Sequence, residues 1–408
     1  MPSVCLYFQV HQPLRVKKYR VFDVGRDCDY FNDDSETNLN NARILRKVAE
    51  KSYLPASLIF LELLKKHPEF KISYSFSGLV LEQLEQYAPE VIEVFKKLVA
   101  TGRVSILAET YYHSLAFFYS PTEFERQVKL HEKKIQSLFG LKPKVFRNTE
   151  LSYRNDVGVW AEKKGYEGVV TEGWDHYLGW RSPNFLYRPK GARKIKLLLK
   201  NYRLSDDMAF RFGEKSWKEY PLNASKFAQW INAVNGNGHL VNLFMDYETF
   251  GEHQWADTGI FEFLKHLPSE ILKNPDNNFL TVDEAVKKYD SVGELDIPHI
   301  LTWADTERDL SAWTGNEMQQ SSISRLYLLE AQILKTKNIN LLEAWRRLQT
   351  SDHFYYMCTK WFADGDVHAY FNPYASPYDA YIAYMNVCHD LELRVDNANA
   401  RLKESAII

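Results

Sequence analysis

Acidic side chains follow short apolar runs at several points of this 408-residue sequence, and the densest group contains Asp246 and Glu248. Both residues come directly after the apolar run 239–245. If the extended backbone continues, the two carboxyl groups point the same way, because side chains alternate between faces along a strand. Two like charges this close raise one pKa and keep one carboxyl protonated. The pair predicts acid–base chemistry, with an acidic loop at a solvated strand end as the alternative.

A second carboxylate, Glu150, follows the apolar run 144–147, whose last residue is Arg147. A neighbouring guanidinium favours the ionised form of a carboxyl group. A glycosidase needs an ionised carboxylate that attacks the anomeric carbon and a protonated carboxyl that releases the leaving oxygen. Glu150 and Asp246 fit these two roles. The alternative for Glu150 is an Arg–Glu pair that only fixes a loop.

Aromatic residues make up 14% of the chain, with 10 Trp, 25 Tyr and 24 Phe. Their apolar faces can stack on the C–H faces of sugar rings. The segment 301–317 combines Trp303 and Trp313 with four acidic residues, which predicts a sugar-binding surface or, alternatively, a helix cap with buried tryptophans. The other candidate substrate-binding residues, at the ends of the apolar runs or in nearby loops, are His11, Gln12, Glu109, His113, Arg147, Trp174, Glu248, His253 and Asp309.

Seven short apolar runs alternate with segments of helical periodicity, which is the pattern of a parallel α/β fold. Strands of this kind are buried on both faces, and catalytic groups gather at their carboxyl ends. The polar residues that end the runs therefore predict a polar cleft at one mouth of a barrel. The predicted strands are residues 3–10, 71–76, 104–108, 144–147, 168–171, 196–202 and 239–245.

The strand signals stop at about residue 310. We predict a catalytic barrel over residues 1–300 and a helical region over residues 301–408 that contributes to the active-site cleft. Residues 202–217 are predicted to form a long loop, and residues 281–284 are a capping-box pattern that begins a helix. Long helices are predicted over residues 318–335, 341–350 and 377–398.

The composition limits the classes of partner. The 51 basic and 53 acidic residues leave a formal net charge of −2, so there is no electrostatic reason to expect nucleic acid or an anionic membrane as a partner. Four scattered cysteines have neither the spacing of a structural zinc site nor that of a disulfide framework. No secretory pattern opens the sequence, and no run approaches about 18 apolar residues. We expect a cytoplasmic protein, and its oligomeric state is unknown.

Several of these segments, in this order, resemble the conserved regions of glycoside hydrolase family 57, which contains α-amylases and 4-α-glucanotransferases. The resemblance covers about residues 1 to 315. It implies an α/β fold, a distorted TIM-like (β/α)7 barrel followed by a helical region, and it implies no metal ion or other cofactor. The matching segments are HQP at 11–13, residues 102–106, RNTEL at 147–151, MDYETFGEHQW at 245–255 and residues 309–313.

The resemblance also implies roles for individual residues. Glu150 would be the nucleophile and Asp246 the general acid/base of a retaining glycosidase, which cleaves α-1,4-linked glucans by double displacement through a covalent glycosyl–enzyme intermediate. Where the second region of the family usually has a glutamate, this chain has Ser105, so that subsite lacks a charge. Glu109 and His113 are candidates to compensate. The residues that would line the donor-sugar subsites are His11, Glu248, Asp309 and Trp313.

Three alternatives stay open on the sequence alone. A 4-α-glucanotransferase would use the same catalytic pair, because exclusion of water from the acceptor site depends on loops. A metal-dependent α-mannosidase or polysaccharide deacetylase on a related barrel would need N and O ligands, although the sequence has no HxxxH motif. A non-catalytic glucan-binding protein is disfavoured because both catalytic positions are filled. The candidate metal ligands of the second alternative are His11, His113, Asp175 and Asp246.

Overall fold

The structure, a computed structural model, describes residues 2–34, 38–360 and 367–405. The chain divides into two compact units. The first unit comprises Met1–His11, Leu45–Glu109 and Val128–Trp303, and the second comprises Gln12–Ile44, Thr110–Gln127 and Ala304–Ile408. The predicted division of the chain at residue 300 stays a prediction.

Within the described residues all strands lie in the first unit, and seven of them coincide with the predicted apolar runs. The remaining three have two residues each, too few for a recognisable period-two pattern. The strands are β1 (Ser3–Val10), β2 (Ile72–Phe76), β3 (Val104–Ile106), β4 (Val145–Arg147), β5 (Gly168–Glu172), β6 (Arg188–Pro189), β7 (Lys196–Lys200), β8 (Leu240–Asp246), β9 (Asn278–Phe279) and β10 (Glu294–Leu295).

The seven longer strands are parallel and follow one another in a ring. One sheet has the order β3-β2-β1-β8, with β9 beside β1, and another has the order β4-β5-β7. At one edge the two sheets are joined by N–H···O bonds from Ala108 to Val145 (2.9 Å) and from Arg147 to Ala108 (2.8 Å). At the other edge the Asn201 N–H donates to the Asn242 carbonyl (2.9 Å). The predicted (β/α)7 barrel is therefore confirmed.

The barrel strands are apolar because both of their faces are covered. All eight residues of β1 are buried, as expected of a parallel strand with helices outside and side chains inside the barrel. Tyr7 and Phe244 pack edge to face, with ring centroids 5.1 Å apart. Apolar packing fills this part of the interior and leaves polar groups to the strand ends. Other buried members of the same cluster are Cys5, Leu107, Val145, Val170, Leu198 and Val286.

Helices connect the strands and form the C-terminal part of the chain, and a π-helical stretch, Ala49–Tyr53, joins the first two. The described α-helices are α1 (Asn41–Val48), α2 (Leu54–Lys66), α3 (Gly78–Tyr87), α4 (Pro89–Ala100), α5 (Pro121–Phe139), α6 (Asn155–Lys164), α7 (Asp175–Leu178), α8 (Tyr202–Ala209), α9 (Ala224–Asn232), α10 (Ile260–Leu272), α11 (Val282–Lys288), α12 (Ser311–Thr314), α13 (Glu317–Leu328), α14 (Glu330–Thr336), α15 (Ile339–Leu348), α16 (Ser351–Tyr355), α17 (Val367–Phe371) and α18 (Pro377–Ser405).

Two helix starts test the capping rules. The capping box at α11 is confirmed: Thr281 Oγ1 accepts from the Glu284 N–H (3.2 Å), and Glu284 Oε2 accepts from the Thr281 N–H (3.0 Å). The loop predicted over residues 202–217 is wrong in its first half, where α8 forms. Asn201 Oδ1 accepts from the Leu204 N–H (3.2 Å), so an N-cap begins this helix although its residues are mostly polar.

In the second unit, α12 to α18 confirm the predicted helical character of the C-terminal region. The Trp345 indole N–H donates to the Leu326 carbonyl (2.8 Å), which holds α15 against α13. Buried Arg346 binds Glu123 with both Nε (2.7 Å) and Nη2 (3.3 Å). Across the described residues, we find no helix with the length and apolar character needed to cross a bilayer.

Candidate active site

Six of the seven barrel strands have a charged or amide side chain at or just beyond the C-terminal end. Parallel strands bring these ends to the same mouth of a barrel. The side chains of Glu109, Arg147 and Glu172 have no exposed surface. The strand-end cluster, as we use the term below, consists of Gln9, Glu109, Arg147, Glu172, Lys200 and Asp246 together with Glu150, Glu248 and Trp303.

Arg147 is the buried cation of this cluster. Its Nη1 lies 3.7 Å from Glu109 Oε2, but in the described part of the chain its three guanidinium nitrogens have no hydrogen-bond partner. Burial acts to lower the pKa of the Arg147 guanidinium. Four surrounding groups act to raise it and outweigh burial, so this pKa lies above its usual value. Two of the four are Glu150 and Asp246. Both predicted catalytic carboxylates therefore act on the same guanidinium.

Glu150 sits in a strained turn directly after β4. Its backbone is left-handed, with φ 59° and ψ 28°, and Leu151 follows with φ 52°. This conformation costs a non-glycine residue about 1–2 kcal/mol and is typical of functional sites. The Trp303 indole N–H donates to Glu150 Oε2 at 2.7 Å. The side chain thus has a defined direction, set by the turn and by this hydrogen bond.

Trp303 is accompanied by two cations. The Arg147 guanidinium carbon and the Lys200 Nζ each lie 5.4 Å from the indole centroid. Lys200 is buried at the end of β7, 3.6 Å from Glu172 Oε2 and 2.9 Å from Asp206 Oδ1. Cations over an aromatic face are attracted by the ring quadrupole. The structure places Trp303 against Glu150, and its predicted contact with sugar stays a prediction.

Asp246 is the last residue of β8 and pairs in register with Gln9 of β1. Residues Tyr247–Thr249 then form a 3₁₀ turn. The condition on which Asp246 and Glu248 were expected to point the same way, a strand that continues through both, is therefore not met, because the strand ends at Asp246. Glu248 is buried and accepts a hydrogen bond from the hydroxyl of Tyr53, which lies in the π-helical stretch.

Two residues of β1 that the sequence did not single out belong to the same site. Gln9 Nε2 donates to Glu109 Oε1 (3.2 Å), and the Tyr7 hydroxyl donates to Gln9 Oε1 (3.1 Å). Burial raises the pKa of Tyr7, with Arg147 acting against it and Glu109 acting with it. Polar side chains at alternate positions of an apolar strand were the available signal. Glu109, predicted to bind substrate, has protein partners on both sides.

The other predicted site residues of the first unit lie in loops. His11 Nδ1 is 2.7 Å from the hydroxyl of Ser77, the N-cap of α3. The ring of Trp174, the N-cap of α7, stacks on His176 with centroids 4.7 Å apart. Burial lowers the pKa of His253 to about 4, so its imidazole is neutral at pH 7. Their contacts with substrate stay predictions.

Ser105, which stands where the family usually has a glutamate, makes its hydrogen bond to a neighbouring strand. Its hydroxyl donates to Ser73 Oγ at 3.0 Å, and both residues are buried. The Ser73 hydroxyl in turn accepts from the Val282 N–H (3.1 Å) at the start of α11. These two hydrogen bonds link β3, β2 and the start of α11, which gives Ser105 a structural role.

Four predicted site residues belong to the second unit. Gln12 Oε1 accepts from Arg15 (3.1 Å), and Asp309 Oδ1 accepts from the Ser311 N–H (2.7 Å) at α12. His113 is buried with a left-handed backbone, φ 51°. The ring of Trp313, also buried, lies 5.8 Å from the ring of Tyr355, the last residue of α16. The structure gives these residues local structural contacts, and their roles toward substrate stay predictions.

One of the candidate metal ligands, Asp175, lies on the surface of the first unit. It is exposed at the start of α7, where Oδ2 accepts from Arg203 Nη2 (2.7 Å) and from the Tyr202 hydroxyl (2.9 Å). A surface ion pair accounts for this carboxylate.

Known proteins with similar sequences and folds identify the family of this chain. Residues 5–298 match the family Glycosyl hydrolase family 57. The chain is 41% identical over 406 residues to a putative alpha-amylase of Methanocaldococcus jannaschii, covering 97% of this chain and 85% of that protein. It is 22% identical over 309 residues to an alpha-amylase of Pyrococcus horikoshii, covering 74% of this chain but only 45% of the relative.

Two solved structures share the fold. A GH57-type branching enzyme of Pyrococcus horikoshii superposes with a TM-score of 0.67 at 14% identity, over 88% of this chain and 86% of that one. The 4-alpha-glucanotransferase of Thermococcus litoralis gives a TM-score of 0.64 at 16% identity, over 86% of this chain and 56% of that one. The chain is therefore an enzyme of the glycosidase class built on a (β/α)7 barrel. It belongs to glycosyl hydrolase family 57.

Proposed function

We propose that the chain hydrolyses α-1,4-linked glucans with retention of configuration, with Glu150 as the nucleophile and Asp246 as the general acid/base. The observation that carries this proposal is the position of both carboxylates at the carboxyl ends of barrel strands, Glu150 in the turn after β4 and Asp246 as the last residue of β8. Two carboxyl groups in different surroundings at one barrel mouth are what a glycosidase needs. Glu150, with the Trp303 N–H on one oxygen, is the better candidate for the ionised member.

The reaction then runs in two balanced steps. In the first, a Glu150 oxygen bonds to the anomeric carbon while the bond to the leaving oxygen breaks, and Asp246 gives its proton to that oxygen. In the second, Asp246 takes a proton from water, whose oxygen bonds to the anomeric carbon as the ester bond to Glu150 breaks. Retaining enzymes of this kind hold the two carboxyl groups about 5–5.5 Å apart.

The substrate class rests on the relatives and on the residues around the pair. The relative that is 41% identical is named a putative alpha-amylase and the Pyrococcus horikoshii relative an alpha-amylase, and an amylase acts on α-1,4-glucans. Acidic, histidine and aromatic side chains suit neutral, hydroxyl-rich rings. We propose as substrate contacts the residues singled out above: His11, Gln12, Glu109, His113, Arg147, Trp174, Glu248, His253, Trp303, Asp309 and Trp313.

The roles of the two carboxylates can be separated with alanine variants. Glu150→Ala and Asp246→Ala should each lower kcat on maltoheptaose by at least about 10²–10⁴-fold. With azide present, Glu150→Ala should form a glycosyl azide of inverted configuration, and Asp246→Ala one of retained configuration. Asp175→Asn, at an exposed carboxylate, is the matched control and should turn over like the wild type. Wild-type turnover in either alanine variant would refute the assignment.

Transfer to a sugar acceptor is a second candidate, since the chain is 20% identical over 261 residues to a protein named 4-alpha-glucanotransferase from Thermococcus litoralis. The same covalent intermediate would then be released to a sugar hydroxyl instead of water. Product analysis on maltoheptaose separates the two. Products shorter than the substrate alone mean hydrolysis, whereas a ladder both longer and shorter than the substrate means transfer.

A further inference from the structure

A separate pocket of about 280 Å³ opens on the first unit between α8 and α9. None of its lining residues belongs to the strand-end cluster. This volume is just below that of typical ligand sites, about 300–1,000 Å³, so the pocket suits one or two small rings. The lining residues, which we call the α8–α9 pocket, are Leu204, Asp207, Trp217, Lys218, Glu219 and Trp230.

Two half-buried tryptophans give the α8–α9 pocket its aromatic walls. The rings of Trp217 and Trp230 are 6.0 Å apart and nearly perpendicular, at 75°. Phe227 packs beside Trp230 with centroids 6.1 Å apart, and its side chain is fully buried. The Trp217 ring also carries the Arg211 guanidinium carbon at 5.8 Å. These contacts restrict the rotamers of the two indoles before a ligand binds, which reduces the entropy cost of binding.

The carboxylates of the pocket are each held by a cation. Arg211 Nε donates to Asp207 Oδ1 (2.6 Å), and Lys226 Nζ pairs with Glu219 Oε2 (2.7 Å). In each pair the second carboxylate oxygen can still accept a hydroxyl proton. Because the opposite charges nearly balance, the pocket has no strong preference for an anion or a cation. Fixed indole walls with hydrogen-bond acceptors between them suit a neutral, hydroxyl-rich ring.

We propose that the α8–α9 pocket is a second carbohydrate site, which binds one or two glucose units of an α-glucan chain through residues that are not part of the strand-end cluster. The identity of the sugar as α-glucan rests on the proposed function. A polymer held here stays near the enzyme between cleavage events, and so gains effective concentration. The site should therefore affect polymeric substrates and leave short ones unchanged.

The test uses the full chain and three tryptophan variants. We expect the double variant Trp217→Ala/Trp230→Ala to lose its retardation in native gels that contain glycogen, and its KM for glycogen to rise about 10-fold. Its kcat/KM on maltotetraose should equal that of the wild type. Trp180→Ala is the matched control: Trp180 is 90% exposed and has the Arg181 guanidinium 5.2 Å from its ring, but lies outside the pocket. Single Trp217→Ala, in the connection between α8 and α9, gives the same reading if the double variant does not fold.

The outcomes separate this inference from the proposed function. If the double and single variants migrate in glycogen gels like the wild type, the second site is refuted while hydrolysis of maltotetraose can still hold. If the wild type is retarded by glycogen through these tryptophans but cleaves no α-glucan, the second site stands and the proposed activity falls. A third outcome is that glycogen does not retard the wild type, whereas a gel with cellulose or mannan oligomers coupled to its matrix does. In that case α-glucan is the wrong sugar and the inference is overturned.

Discussion

Replacing Trp303 by phenylalanine should change the pH dependence of catalysis more than the fold. The substitution removes the indole N–H, which lies 2.7 Å from Glu150 Oε2, and keeps an aromatic ring beside Arg147 and Lys200. A hydrogen bond to a charged group is worth about 1.5–3 kcal/mol. At about 1.36 kcal/mol per pH unit, its loss makes the ionised carboxylate harder to form by about one to two units. The acid limb of the kcat/KM profile should move to higher pH by that amount.

The assay is kcat/KM on maltoheptaose across the acid range, with urea unfolding measured at each pH. Trp345→Phe is the matched control. It removes an indole hydrogen bond of nearly the same length, the 2.8 Å bond from Trp345 to the Leu326 carbonyl in the second unit. Both variants should lose similar stability, and only Trp303→Phe should shift the profile. An acid limb that coincides with that of the wild type would show that the Trp303 hydrogen bond does not stabilise the reacting form of Glu150.

Three further substitutions probe the charge and the backbone of the site. Arg147→Met should lower the free energy of unfolding in urea by about 3–5 kcal/mol, because it removes the cation that lies 3.7 Å from the buried carboxylate of Glu109; adding Glu109→Gln should recover part of the loss. Burial lowers the pKa of His253 to about 4, so on acidification the unfolded chain takes up a proton at this histidine before the folded protein does. The free energy of unfolding should therefore fall as the pH is lowered from about 6.5 to about 4. His253→Gln should remove up to about 3 kcal/mol of that pH dependence in urea titrations, and an unchanged slope would contradict the assignment. Gly251→Ala should lower Tm far more than Gly236→Ala, since both have positive φ but only at Gly251 would a Cβ lie 2.0 Å from a backbone oxygen.

The barrel could be predicted from sequence because its strands are buried on both faces. Runs such as residues 3–10 and 239–245 are apolar almost throughout, and short polar segments end them, so both their position and their termini are readable. Helix starts were predictable where a capping box gave a side-chain signal, as at Thr281. The helix α8 was missed because Asn201 caps a segment whose polar residues resemble a loop. A polar composition therefore predicts a loop wrongly where a single N-cap residue is enough to begin a helix.

The candidate site was predictable only in part, and distance along the chain explains the rest. The residue types at Glu150 and Asp246 follow from their positions at strand ends. The hydrogen bond from Trp303 to Glu150 joins residues 153 positions apart, and no local pattern reports such a pairing. Local periodicity also failed for Glu248, since it assumes a strand that in fact ends at Asp246. Strand periodicity identifies faces only as far as the strand extends.

The charges of the strand-end cluster bear on which carboxyl carries the catalytic proton. Five carboxyl groups, at Glu109, Glu150, Glu172, Asp246 and Glu248, share the cluster with two cations, which leaves an excess of three negative charges if all five are ionised. Like charges in a dehydrated site cannot all be ionised at little cost, so the excess favours retention of a proton. Glu109 and Glu172 each lie beside a cation, and Glu150 accepts the indole N–H, so all three have a partner that stabilises the ionised form. We therefore expect one carboxyl group of the cluster to retain a proton near neutral pH. The proposed mechanism requires that Asp246 hold this proton at the start of the first step, when it protonates the leaving oxygen.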